Sequence, residues 1–273
     1  YPVRKEAKEG IKLVSNASIK TVMITGDNKN TAEAIAREVG LVNDSSDVII
    51  TSDELNSLSD SEVKRMLPKL KVVSRSLPQD KSRLVRLSKE MGLVTGMTGD
   101  GVNDAPALKR ADVGFAFGSG SEVAKEASDI VILDNNFLSI AKAVLFGRTI
   151  FKSIRKFIIF QLTVNLCALS ISIIGPFIGV ETPVTVIQML WINMVMDTLA
   201  ALAFAFEPPL LEYMNEKSKK KDESIINSYM VSEIVITGIY TTLLCILFLK
   251  LPFIKDLFLN EDYKTSVIWS IEY

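Results

Sequence analysis

The chain has 273 residues, with 31 Lys and Arg against 32 Asp and Glu, so its formal net charge of −1 gives none of the basic surface that a nucleic-acid partner requires. It contains no histidine, which excludes Ser-His-Asp and Cys-His catalysis and any His-ligated metal. Its two cysteines, Cys167 and Cys245, lie in apolar runs outside any CxxC pair and read as buried, inert thiols. Hydrophobic residues make up 48% of the chain and charged residues 23%, but the two classes separate along it. Residues 1–156 hold most of the charge, whereas residues 157–206 carry only Glu181 and Asp197. This break predicts a soluble domain over 1–150 and a membrane-embedded domain over 151–273. The opening Tyr1-Pro2 and the closing Ile271-Glu272-Tyr273 read as an internal piece of a longer protein.

In chain order, the soluble part alternates amphipathic stretches with short apolar runs. The pattern predicts helix 3–15, strand 21–25, helix 29–39, strand 48–51, helix 61–67 and strand 71–74. It continues with helix 78–91, strand 93–97, helix 105–110, strand 113–117 and strand 130–133. Leu84, Val85, Leu87 and Met91 recur on one helical face. Such alternation implies an α/β fold, a parallel sheet with helices on both faces, with its chemistry at the carboxyl ends of the strands.

Three loops fit that rule. In Thr25-Gly26-Asp27-Asn28, a hydroxyl and glycine-flanked amides can approach a phosphate. Taken alone, the same residues read better as a plain helix cap, with Asp27 as the capping residue. In Leu77-Pro78-Gln79-Asp80-Lys81-Ser82-Arg83, Pro78 opens a helix, so Lys81 lies in the first turn against the helix dipole. It is either a charge for a transferring phosphoryl group or a solvated surface lysine. The third loop is Met97-Thr98-Gly99-Asp100-Gly101-Val102-Asn103-Asp104, after an apolar pair, Leu93-Val94, that reads as the core of a buried strand. Asp100 and Asp104 are four apart in a Gly-rich turn, with Asn103 between them and Pro106 opening the next helix. Two acids at a strand's carboxyl end can hold a divalent cation against a phosphoryl group, although Thr-Gly-Asp alone reads equally as a linking turn.

The membrane part begins with residues 157–180, 24 residues without a charge, followed by residues 182–206, which carry one. Each is long enough to cross a hydrocarbon core of about 30 Å. Residues 230–253 form a third candidate, with Glu233 and Lys250 near its ends. The predicted spans are therefore about 151–180, 182–206 and 230–253, with a link at 207–229. A helix over 137–148 leads straight into the first span, and Gly175-Pro176 marks a break near its end. Arg148, Lys152, Arg155 and Lys156 precede the first span, and Lys217, Lys219, Lys220 and Lys221 follow the second. By the positive-inside rule, residues 1–156 and 207–229 are cytoplasmic and the turn near Glu181 faces outside. Asn193 and Asp197 are four apart and share one helix face. A carboxylate at membrane depth is costly and marks a functional site. Together with Asn165 on the preceding helix, these oxygens suit a hard cation such as Ca²⁺. Interhelical hydrogen bonding would account for the two asparagines but not for Asp197.

The run 97–108, followed by Lys109-Arg110-Ala111-Asp112-Val113-Gly114-Phe115-Ala116, resembles the hinge motif of the P-type cation-transporting ATPases. With the Thr25 and Lys81 loops it resembles most of the phosphoryl-transfer site of the haloacid-dehalogenase-like superfamily, to which those ATPases belong. The resemblance implies that Asp100 is a Mg²⁺ ligand, with Asp104 and Asn103 supporting metal and phosphate. It implies that Thr25, Gly26 and Lys81 contact the phosphoryl group, and that Asp27 serves the nucleotide or orders its loop. The family's nucleophile motif, Asp-Lys-Thr-Gly-Thr, is absent, since Asp80-Lys81-Ser82-Arg83 lacks its Thr-Gly. The nucleotide-binding insertion is absent too, so ATP would be bound with the remainder of the same polypeptide, and this piece alone is expected to be inactive.

Gln188-Met189-Leu190-Trp191-Ile192-Asn193-Met194-Val195-Met196-Asp197-Thr198, ending at Phe206-Glu207-Pro208-Pro209, resembles the sixth membrane helix of calcium ATPases. Phe160-Gln161-Leu162-Thr163-Val164-Asn165 resembles the fifth helix of the plasma-membrane type. This implies a multi-pass cell-membrane protein that exports Ca²⁺ through an aspartyl-phosphate, with Asn165, Asn193 and Asp197 holding the ion. Ala168 and Met196 stand where the sarcoplasmic-reticulum type has glutamate and threonine, which implies one Ca²⁺ per cycle. No Cys-Pro-Cys lies in a span, which argues against a soft-metal pump. The alternatives are a pump of the same class for Mn²⁺, H⁺, Na⁺ or K⁺, and an inactive membrane-anchored module.

Overall fold

A computed structural model describes residues 5–179, 184–219 and 221–251. It divides into two compact units: residues 1–149 with 209–223, and residues 150–208 with 224–273.

The first unit is built on six parallel strands in two three-stranded sheets. One sheet has the order β1 (Met23–Ile24), β3 (Leu70–Ser74), β2 (Val48–Thr51). The other has the order β4 (Gly96–Gly99), β5 (Val113–Phe117), β6 (Ile130–Ile132). Helix α1 (Lys5–Asn16) precedes them, and α2 (Lys29–Glu38), α3 (Ser52–Ser57), α4 (Asp60–Met66), α5 (Pro78–Glu90), α6 (Ala105–Arg110) and α7 (Glu122–Glu126) connect them. Consecutive residues of the central β3 point to opposite faces. Val72 packs with Ala32, Ala36 and Val39 on the α2 side. Val73 packs with Leu55, Val63, Leu84 and Leu87 on the side of α3, α4 and α5. Helices thus cover both faces, as the alternating pattern predicts. Burying an aliphatic side chain such as Leu87 contributes about 1.5–3 kcal/mol. In the second sheet, Met97 and Ala116 pack with Val85, Leu108 and Ala124, while Phe115 and Ile132 pack with Ile140.

Several sequence expectations are corrected. The expected parallel strands divide between two sheets. Strand 21–25 shrinks to Met23–Ile24. Leu93 and Val94 are not a strand core: they are about half exposed, at 48% and 57%, and β4 begins only at Gly96. The cause is Gly92, whose left-handed φ of 75° ends α5 and leaves the apolar pair to carry the chain back to the sheet. Two short helices escaped the periodicity test. Helix α3 is opened by a capping box in which the Thr51 side chain accepts from Glu54 N and Glu54 returns the bond. Helix α7 is opened by the Ser121 side chain.

Residues 209–223 fold with the first unit. The Arg148 guanidinium donates to the carbonyl oxygens of Tyr213 (2.6 Å), Glu216 (2.8 Å) and Ala17 (2.6 Å). Tyr213 and Met214 are buried with Ala17 and Leu145. Ser218 Oγ donates to Ala17 O at 3.0 Å, and Lys221 Nζ lies 3.0 Å from Asp112 Oδ1. Burial pushes the Asp112 carboxyl up, but the Thr95 amide and the ammonium groups of Lys221 and Lys89 outweigh it and hold the carboxyl well below the usual range.

Helix α8 runs unbroken from Phe137 to Ile174, so the predicted helix 137–148 and the first span are one element. It ends in a 3₁₀ turn over Gly175–Ile178, and Gly179 is left-handed. The second unit contains α8 from residue 150 onward, α9 (Val186–Ala205) and α10 (Ser228–Lys250). All three helices are long and apolar enough to cross a membrane by length and composition. The turn at Glu181 and the residues after Leu251 lie outside the described residues. Helices α8 and α9 are antiparallel: Lys156 pairs with Glu207, and Phe204 packs edge-on against Phe157 and Phe160, with ring centroids 6.5 and 6.3 Å apart. Helix α10 meets α8 closely at Gly238, where a Cβ would lie 2.7 Å from Leu166 Cδ2. Cys167 and Cys245, read from the sequence as buried, inert thiols, are half-buried and face each other across α8 and α10.

Candidate functional site

The three predicted loops leave the carboxyl ends of β1, β3 and β4. Thr25 N donates to Val73 O and Ser76 N to Thr25 O, each at 2.9 Å, so the loop after β1 is stitched to the one after β3. Thr25 Oγ1 donates to Asp27 Oδ2 at 3.1 Å and accepts from Asp27 N at 3.2 Å. Asp27 therefore does not cap α2. Asn28 does, its side chain accepting from Thr31 N at 3.0 Å from an extended backbone conformation. Gly26 and Asp27 are exposed, and the space beside Gly26 is open.

Asp104 organises the loop after β4. It is 5% exposed. Its Oδ1 accepts from Lys81 Nζ at 2.6 Å, and its Oδ2 accepts from the backbone amides of Asp100 and Gly101, both at 3.2 Å. A Cβ on Gly99 would lie 2.5 Å from Asp104 Cβ, so only glycine lets the strand end pass this close to the carboxylate. Lys81 is thus not a freely solvated surface lysine, because Asp104 aims it at this loop. Its neighbour Asp80 is fully buried and structural, accepting from Ser52 Oγ (2.6 Å), Leu77 N (2.7 Å) and Asn56 Nδ2 (3.1 Å).

Asp100 and Asn103 are exposed, and no hydrogen bond or ion pair ties up the Asp100 carboxylate among the described residues. A free carboxylate at a strand end fits a hard, oxygen-seeking cation. Asp100 also borders a cleft of about 330 Å³ lined by Phe117, Ser119, Asn135, Asn136 and Phe137. The sequence reading missed this lining. Its only sequence signal is Gly118-Ser119-Gly120-Ser121, where Ser121 N donates to Asp100 O at 2.8 Å and a Cβ on Gly120 would come within 2.9 Å of that oxygen. Ser119 N in turn donates to Asn135 Oδ1 at 3.0 Å.

In the second unit, Asp197 is half-buried and its Oδ1 is buried without a partner, while Asn193 is half-buried and Asn165 exposed. No hydrogen bond joins these three among the described residues, and no group of three His, Cys, Asp or Glu side chains there could hold a metal. The antiparallel register set by Lys156–Glu207 and Phe160–Phe204, carried two turns along α9, brings Asp197 level with about residues 164–167 of α8. Asn165 lies at that level.

The first unit is a haloacid-dehalogenase-like α/β domain with the Thr25, Lys81 and Asp100 loops at its strand ends, in a chain that also forms membrane-length helices. Family models agree: "haloacid dehalogenase-like hydrolase" matches residues 1–112 and, in a second model, residues 93–144, and "Cation transporting ATPase, C-terminus" matches residues 181–264. Over most of its length the chain is similar to P-type cation-transporting ATPases. It is 43% identical over 244 residues to calcium-transporting ATPase 8, plasma membrane-type, of Arabidopsis thaliana, covering 88% of this chain and 23% of that protein. It is 41% identical over 276 residues to plasma membrane calcium-transporting ATPase 3 of Homo sapiens, covering 96% of this chain and 22% of that protein. The chain spans less than a quarter of the length of these relatives. Among solved structures, the catalytic domain of the CPx-ATPase CopB-B matches 52% of this chain and 45% of that one, at 23% identity and a TM-score of 0.39.

Proposed function

We propose that this chain is part of an ATP-driven pump that exports Ca²⁺ from the cytoplasm across the plasma membrane through an aspartyl-phosphate. The observation that carries the proposal is the division of labour between two acids four residues apart: Asp104 is buried and holds Lys81, while Asp100 is exposed and free. Asp100 is the Mg²⁺ ligand in this reading. Asp104 acts as a positioning residue rather than a second ligand, since both its oxygens are engaged. Mg²⁺, when bound, supplies charge neutralisation for the transferring phosphoryl group. Lys81 adds a fixed positive charge on the same side, Thr25 and the Gly26 amide offer donors, and Asp27 keeps Thr25 oriented. Asn103, exposed beside Asp100, is a further phosphate or nucleotide contact.

The remainder of the polypeptide supplies the nucleophile and the nucleotide domain. The strand pairing supports this: among the described residues β1 and β4, whose ends carry the Thr25 and Asp100 loops, each pair on one side only. An edge strand of this kind accepts another strand. Asn193, Asp197 and Asn165 are the ion ligands, with one Ca²⁺ carried per cycle, and residues 1–156 face the cytoplasm.

The test is Asp100→Asn in the full-length protein. Mg²⁺-dependent phosphoenzyme should fall by at least about two orders of magnitude, as expected when a transition-state charge stabiliser is removed. Unchanged phosphoenzyme formation would refute the Mg²⁺ assignment. Ion-stimulated ATP hydrolysis would identify another cation if Ca²⁺ does not activate, and a count of two Ca²⁺ per ATP would overturn the single site.

A further inference from the structure

Three buried side-chain oxygen atoms lack any hydrogen-bond partner among the described residues: Gln161 Oε1, Thr163 Oγ1 and Asp197 Oδ1. All three lie on α8 and α9. A buried polar atom left unpaired is costly, and for an oxygen the missing partner is a donor or a cation. The positions of the three along their helices separate them.

Phe157 packs against Phe204 of α9, so it marks the face of α8 turned toward that helix. Gln161 is four residues further on, the same face one turn along, and Asn165 is four further again. Asp197 lies seven residues before Phe204, two turns along α9 on the face turned toward α8. Gln161 and Asp197 therefore follow one seam, with the exposed Asn165 at its edge. Asp197 is level with Asn165, and Gln161 is about 6 Å along the axis toward the Lys152, Arg155 and Lys156 end. Thr163, two residues past Gln161 and about 200° around the helix, belongs to another face.

We propose that Gln161 is an ion-binding residue, its amide oxygen forming a station for the transported cation one turn to the Lys156 side of Asp197 and Asn165. The inference rests on the transport reading above. An amide oxygen is a neutral, hard ligand of the kind that Ca²⁺ accepts beside carboxylates, and it stabilises the ion without adding a second charge at membrane depth. The unpaired Oε1 of Gln161 and Oδ1 of Asp197 are then two acceptors along one path, each awaiting the same cation.

The experiment uses the full-length pump in lipid vesicles with Ca²⁺ as the probe. Gln161→Leu keeps the bulk and removes the oxygen. The half-saturating Ca²⁺ concentration for phosphoenzyme formation should rise about tenfold, a difference of about 1.4 kcal/mol. The rate at saturating Ca²⁺ and phosphorylation by inorganic phosphate without Ca²⁺ should stay unchanged. Gln161→Glu, which restores an oxygen, should recover Ca²⁺ affinity. A Gln161→Leu pump with normal Ca²⁺ dependence and normal phosphorylation by inorganic phosphate overturns the proposal. If that variant loses phosphorylation by inorganic phosphate, it has misfolded, and Gln161→Asn decides instead: weakened Ca²⁺ affinity supports the proposal and unchanged affinity overturns it. Asp197→Asn run in parallel separates the two readings. Loss of Ca²⁺ activation there with none in the Gln161 variants removes only the role of Gln161, whereas normal activation in Asp197→Asn removes the ion site itself.

Discussion

Replacing Asp104 by alanine removes three bonds at once, to Lys81 Nζ and to the amides of Asp100 and Gly101. The Lys81 contact is charge-assisted, a bond of about 1.5–3 kcal/mol. Breaking a fully buried ion pair by removing one partner costs about 3–5 kcal/mol, because the other charge stays behind. The Lys81 side chain is 22% exposed against 7% for Asp104, so water partly rehydrates the orphaned ammonium and the net loss settles near ~2–4 kcal/mol. For a unit of this size each kcal/mol moves the midpoint by about 2–4 °C, which predicts a fall on the order of 5–15 °C. Calorimetry on the detergent-solubilised chain reads this as a shift in the transition of the first unit. Lys81→Met in the Asp104→Ala background should cost little more, since the ammonium no longer has a partner to lose. A midpoint within about 1 °C of the parent, or additive losses in the double variant, would refute the claim that Asp104 holds both Lys81 and the loop.

Arg148→Ala should release residues 209–218, because three backbone carbonyls lose their donor together. Limited proteolysis within that segment should accelerate by at least about tenfold, the equivalent of one strong hydrogen bond. Arg148→Lys, without the forked guanidinium, should rescue only partly. Asp112 predicts an acid-sensitive contact. Its carboxyl is held below its ordinary value in the folded chain, so its stabilising contribution is complete above the unfolded value of about 4 and drains away as pH falls further. The melting temperature of the parent should drop more steeply than that of Asp112→Asn between about pH 4 and pH 2. Parallel slopes would show that Lys89, Lys221 and Thr95 do not depend on the charge.

The elements that sequence located to the residue are those whose local chemistry and tertiary role agree. Strands 48–51 and 113–117 are β-branched or aromatic runs between turn residues, and helix 105–110 starts next to a proline. Leu93-Val94 failed because apolarity reports a preference for burial and says nothing about where a left-handed glycine ends the preceding helix. Residue type alone points to Asp27 as the cap of α2, whereas Asn28 takes that place. The backbone conformation at position 28 decided between them, and Asp27 turned to Thr25 instead. Lys81 had two readings because its partner lies 23 residues away on another strand's loop, a distance that no local pattern spans.

The loop at 97–108 carries the same lesson further. Its residue types suit a cation and phosphate site, the reading proposed above, but two carboxylates in one motif look alike until burial separates them. The buried acid is poorly placed to take a metal, because three of its four acceptor positions already serve an ammonium and two amides. The exposed acid cannot hold the loop, because nothing bonds its side chain among the described residues. Exchanging their environments would exchange their roles. Along the α8–α9 seam the sign is reversed: Gln161 Oε1 and Asp197 Oδ1 are buried without partners among the described residues, as the proposed ion path requires, whereas Asn165 is exposed and owes its place to register alone.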